Sequence, residues 1–192
     1  MEIQPDRVLI DKILEGDRLA FKELVEKYQT MVINTCIGFL HNKSDAEDIA
    51  QEVFIEVYNS LINFRNEAKL STWMYRISVN KSLNFLRSKK RRQWILSFED
   101  ALGLGRSGQR EPSETRQPGV EMESKEEALL LHKTISSLTE NQRIAFTLNK
   151  YEDLSYSKIA DVMGVSVSSV ESLIHRAKIN LQHKLMNYYK NR

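Results

Sequence analysis

Ala160, Gly164 and Val170 lie four and then six residues apart, among the apolar residues Ile159, Met163, Val165, Leu173 and Ile174. This is the spacing of a helix-turn-helix. It supplies a small residue where the second helix crosses the first, a glycine free to take positive φ in the turn, and a branched apolar residue facing back. A second helix so placed is built to enter a DNA major groove, whereas an ordinary helical hairpin would use the same pattern only for a core. Ser166 is a natural N-cap for that helix, and Ser168, Ser169, Ser172, His175 and Arg176 then point outward. Short hydroxyls allow close approach and bond to bases or phosphates, and Arg176 suits a phosphate or a guanine.

A second set of polar residues lies upstream. Asn80, Asn84, Arg87 and Arg91 recur at i, i+4, i+7 and i+11, which puts them on one stripe of a helix, while Ile77, Val79, Leu83 and Leu86 turn largely to a core. The run Lys89–Arg92 suits phosphates, and it also suits a helix C-terminus that favours cations. A third set is acidic. In DAEDIAQEVFIEVYNSL, Ile49, Val53 and Val57 form a buried stripe, and Asp45, Asp48 and Glu52 fall on the opposite face with Gln51 beside them. Such a face is either simply solvated or suited to steering a basic partner.

The elements that position these residues read as helical. Ile10, Ile13 and Leu14 open a first helix that Gly16-Asp17 ends, and a second runs from Phe21 through Cys36. Ser44 and Glu47 form a capping box, so the acidic helix is expected to start at Ser44. The loop FRNEAKLS precedes the helix TWMYRISVNKSLNFLRSKKRR. Residues 98–124 hold four of the seven glycines and two of the three prolines and lack apolar periodicity, so they read as a flexible linker. The second unit begins near Ser124, and Thr139 is expected to cap a helix with Gln142 as its N3 partner. The expected fold is all-α: two small helical domains, 1–92 and 125–192, joined by a linker over 93–124, with the helix-turn-helix in the second.

The net charge of +2 hides an asymmetry: residues 1–57 carry 12 acids against 6 bases, and residues 58–92 carry 9 bases against 1 acid. Basic blocks favour phosphate backbones. A hydrophobic content of 41% allows real cores, and there is neither an apolar run long enough for a membrane span nor a signal-peptide core, so a soluble cytoplasmic protein is expected. The lone Cys36 lies in an apolar helical run and reads as a small buried hydrophobe.

Four segments, DAEDIAQEVFIEVY, STWMYRISVNKSLNFLR, SLTENQRIAFTL and the helix-turn-helix, occur in that order. Together they resemble the bacterial RNA polymerase sigma factors, specifically the small extracytoplasmic-function group, over residues 8–92 and 125–187. The resemblance implies that Asp45, Glu47, Asp48, Gln51 and Glu52 bind core polymerase. It implies that Phe64–Arg92 melts the promoter and reads its −10 element. Asn66 and Ser71 in the loop Arg65–Ser71 would then serve a flipped base, and Arg65 in that loop and Asn80, Asn84, Arg87 and Arg91 on the helix would be further DNA-binding residues. Trp73 is either a base platform or a core ring. The recognition helix, through Ser168, Ser169, Glu171, Ser172, His175 and Arg176, would read the −35 element. Relatives often carry Lys and Arg where this chain has Glu171 and Leu173; an exposed Glu can accept from a cytosine amine but repels phosphate, so affinity for DNA alone should be low. The linker would run near the polymerase active-site cleft and RNA exit path, and an anti-sigma factor is an implied partner.

A one-component regulator acting without polymerase is the rival reading, but it leaves the Asn80–Arg91 stripe without use. His41, His132, His175 and His183 fit no metal spacing, and neither a phosphate-binding glycine loop nor a nucleophile elbow is present. No catalytic residue, metal or cofactor is therefore expected, and polymerase would supply the chemistry.

Overall fold

The computed structural model describes residues 5–65, 68–101 and 121–190. Its elements are α1 (Pro5–Leu14), α2 (Arg18–Leu40), α3 (Lys43–Ser60), a 3-10 turn (Leu61–Asn63), α4 (Leu70–Ala101), α5 (Glu121–Ser136), α6 (Glu140–Tyr151), α7 (Tyr156–Met163) and α8 (Val167–Lys190). No strand occurs among the described residues.

The first unit is built on α2, α3 and α4, with α1 laid against α2. Leu24, Val32, Cys36, Val53, Val57 and Met74 are fully enclosed between them. Each Leu, Val or Met among them contributes about 1.5–3 kcal/mol of transfer free energy. Burial pushes the Cys36 thiol up to about 11, so it stays protonated and acts as a hydrophobe. Asp17 caps α2, its carboxylate accepting from the Leu19 and Ala20 amides at 2.8 and 3.2 Å. In the second unit α6, α7 and α8 pack together and α5 rests on α8, with Ile135, Leu138, Ala177 and Leu181 as the local core.

Three boundaries differ from the sequence reading. The acidic helix starts at Lys43, and its cap is Asn42, whose side-chain oxygen accepts from the Asp45 amide at 2.9 Å; Ser44 lies inside the first turn. Thr139 is the residue before α6 but its hydroxyl makes no capping bond, and Gln142 is buried, accepting instead from Asn180 at 3.1 Å. Helix α4 runs on to Ala101, and α5 starts at Glu121, so both ends of the expected linker are helical; residues 102–120 lie outside the described residues.

The two units share one apolar cluster. Leu148, Ile159 and Val162 of the second join the core of the first.

Candidate nucleic-acid interface

The helix-turn-helix forms as its spacing requires. Ser155 caps α7, accepting from the Lys158 amide at 3.4 Å. Gly164 takes φ +66 and its amide bonds back to the Ala160 carbonyl, closing α7 with a left-handed turn. Ala160 is buried at the crossing, and Val170, Ile174 and Ala177 seat α8 on its neighbours. Ser166 caps α8, its hydroxyl accepting from the Ser169 amide at 3.2 Å and lying 3.0 and 2.8 Å from the Ser168 and Ser169 hydroxyls. Ser168, Ser169, Glu171, Ser172, His175 and Arg176 are all exposed, and Leu173 is half-buried against the core. Leu173 thus helps seat the helix.

On α4 the polar stripe forms as expected, with Asn80, Asn84, Arg87 and Arg91 exposed and Val79 and Leu83 buried behind them. Arg87 donates to the Asn84 side-chain oxygen at 2.9 Å, so these two act as one unit. Helix α4 continues into exposed Trp94 and Phe98, whose rings stack at 5.6 Å. Arg65 is exposed, and Asn66 lies outside the described residues. Ser71 is half-buried and lines a cleft of about 500 Å³ together with Lys69, Thr72, Tyr75, Arg76 and Lys158. The Trp73 ring is half-buried against Phe64, centroids 5.1 Å apart, and belongs to the packed core.

On α3, Glu47, Asp48, Gln51 and Glu52 are exposed. Asp45 is not free: its carboxylate accepts from Lys89 at 2.8 Å, tying the start of the acidic helix to the first cation of the basic run. Lys81 sits 3.9 Å from Glu52 and 3.5 Å from Glu56, so α4 also balances the middle of that face. Asp48 and Gln51 remain outward.

Contacts that sequence reasoning did not foresee join the two units. Arg76 donates from Nε to the Val162 carbonyl at 3.1 Å and from Nη2 to the Asp161 carbonyl, in the last turn of α7. Arg87 reaches both oxygens of Glu140 at 2.6 Å. Asn80 lines a cleft of about 400 Å³ with Arg76, Asn141, Ile144, Met163 and Gly164. The His41 and His132 rings lie against each other, tilted by 35° with centroids 3.8 Å apart. Burial, then the nearby His132 and Arg143, lowers the His41 pKa to about 4. Burial raises Glu152 to about 7 although Tyr75 donates to it at 3.4 Å. These partners lie far apart in sequence, and no local pattern announces them. Among the described residues no cluster of three or more metal-ligating side chains occurs.

Known proteins are similar to this chain over most of its length. Residues 24–92 match the family model for Sigma-70 region 2, and residues 128–181 match that for Sigma-70, region 4. The RNA polymerase sigma-H factor of Pseudomonas aeruginosa is 37% identical over 91% of this chain and 91% of its own length. The ECF RNA polymerase sigma-E factors of Haemophilus influenzae and Escherichia coli are 36% and 33% identical, each covering 94% of this chain and 95% and 94% of their own lengths. Among solved structures, CnrH in complex with the cytosolic domain of CnrY aligns with a TM-score of 0.66 at 22% identity, over 96% of this chain and 99% of that one. RpoE of Bartonella quintana, in complex with the anti-sigma factor NepR, aligns with a TM-score of 0.55 at 19% identity, over 86% of this chain and 96% of that one. The folds agree, and the sequence matches span both units: the chain belongs to the sigma-70 family of RNA polymerase sigma factors, in its extracytoplasmic-function group.

Proposed function

We propose that this chain binds core RNA polymerase through the outward acidic face of α3 and directs it to promoters with two DNA-reading helices. The observation that carries this reading is the pair of exposed polar rows on separate helices: Asn80, Asn84, Arg87 and Arg91 on α4, and Ser168 to Arg176 on α8. On α4, cations and amides beside the Ser71 cleft suit a strand whose bases are unstacked, because a cationic groove holds the backbone and amides bond to exposed base edges. On α8, hydroxyls, Glu171, His175 and Arg176 stand on a helix end shaped for a major groove. Residues 1–92 thus serve polymerase binding, −10 recognition and melting, and residues 125–192 serve −35 recognition.

Asp48 and Gln51 are the centre of the polymerase face, since Asp45 and Glu52 already meet cations of α4. The chain performs no chemistry of its own in this scheme; it acts in the cytoplasm beside polymerase. An anti-sigma partner is proposed by likeness to the CnrH and RpoE complexes. The test is reconstitution with purified core polymerase: Asp48→Lys should weaken core binding in a competition assay while leaving helical content and melting unchanged. Unaltered affinity would remove α3 from the polymerase interface.

A further inference from the structure

We propose that Trp94 and Phe98 form a base-stacking platform that extends the strand-reading row of α4 and holds unstacked bases of the melted strand beyond Arg91. This rests on the reading of α4 given above.

Asn80, Asn84, Arg87, Arg91, Trp94 and Phe98 follow one another within α4 in alternating steps of four and three residues. Those steps keep all six on one helix face, over about 27 Å of rise. All six are exposed. The row changes chemistry along its length without changing direction: two amides, then two guanidinium groups, then two rings. The seam between the two units reaches α4 at Arg76 and Arg87. Trp94 and Phe98 lie about two and three turns beyond it, so a strand can reach them while the units stay together.

The rings are placed for stacking rather than for a core. Trp94 is 65% exposed and Phe98 52%, although large aromatic side chains are mostly buried. Their planes lie 15° apart, with centroids 5.6 Å apart. A stacked pair leaves each ring an outer face, and every base has a π-face to match it, so the pair holds a strand without reading its sequence. Arg91 stands about one turn before Trp94 on the same face. A phosphate held by Arg91 leaves its base within reach of the indole, and exposed Lys90 and Arg92 add to the cationic field. Rings beside cations also suit an anionic lipid surface. The row shared with Asn80 and Asn84 decides for the strand, because amides bond to base edges and are costly to bury in lipid.

The test uses the full chain at low salt and two fluorescent probes of about twelve nucleotides: a single-stranded pool of random sequence, and an abasic strand of the same length. Phosphate contacts act on both probes, and stacking acts on the pool alone. The expected result is that Trp94→Leu and Phe98→Ala each weaken binding of the pool about fivefold or more and leave binding of the abasic strand unchanged. Trp94→Phe keeps the affinity but loses most of the indole quenching that the pool produces, since the other tryptophan, Trp73, is half-buried. Leucine keeps apolar bulk and helix propensity without a flat π-face. Equal binding by Trp94→Leu and Trp94→Phe therefore overturns the proposal, as does an equal loss on both probes. Arg91→Ala should weaken both probes. If it does while the ring variants bind the pool as the wild type does, the platform fails and the reading of α4 stands. If no variant changes binding of either probe, the reading of α4 fails with it. Vesicles of phosphatidylglycerol give the last arm: ring-dependent binding to them, with none to the pool, makes lipid the occupant and overturns the proposal.

Discussion

Glu152 is a carboxylate that the fold holds against its ordinary preference. It is half-buried at the seam, with Oε1 unpartnered, Tyr75 and Thr35 helping its charged form, and Asp153 opposing it. Burial dominates and raises it from 4.5 to about 7. Between those values the folded chain binds the extra proton, so stability declines as pH rises through that window and stays lower above it. His41 works in the other direction. Lowered from 6.5 to about 4, it leaves the unfolded chain holding the extra proton in that range, so stability declines as pH falls through it. The two slopes oppose each other where they overlap. Glu152→Gln removes one of them and should raise the melting temperature at pH 8 by roughly 2–4 °C per kcal/mol of relieved burial, with little change at pH 5. Scanning calorimetry at the two pH values checks this, and an equal shift at both would show that the carboxylate is not the cause. Nothing local in the sequence singles out Glu152, because its environment is made by Tyr75 and Thr35, distant in the chain.

Helices whose logic is local were legible; those settled by distant partners were not. The turn between α7 and α8 was readable because Ala160, Gly164 and Ser166 act on neighbours within a few residues. Replacing Gly164 with Ala isolates the backbone term: φ is +66 and no atom lies within 4 Å of an added Cβ. The expected loss is about 1–2 kcal/mol, seen as a lower melting temperature with the helical signal retained. The start of α3 was misplaced because Asn42 and Ser44 are both good caps, and only the backbone shows which oxygen meets the Asp45 amide. The end of α4 was missed because the cations Lys89–Arg92 and the exposed Trp94, Ile95, Leu96 and Phe98 show no buried stripe, yet the helix continues. At this scale the two reading helices should act at different steps. Asn80→Ala should impair permanganate-detected melting more than initial binding, at a cost of about 1–3 kcal/mol for a lost base contact. Arg176→Ala should weaken closed-complex formation in gel shift, by less as salt rises if its partner is phosphate. The reverse pattern would reject this division of labour.

Across the whole molecule, the charge blocks and the Gly/Pro-rich stretch suggested two units, and nothing in the sequence announced the contact between the segments on either side of that stretch. Arg76 and Val162, or Arg87 and Glu140, carry no mutual signal in one sequence. The apolar cluster that crosses the seam means the units stabilise each other, although each has buried residues of its own. In the proposed reading, transcription requires α3 on polymerase, α4 on the melted strand, and α8 on duplex upstream. Run-off transcription from a genomic fragment library, with core polymerase and the full chain, tests the central claim most directly. The expected result is a restricted set of transcripts that appear only when the chain is added and that fall with both Asn80→Ala and Arg176→Ala; a transcript pattern unchanged by the chain would contradict it.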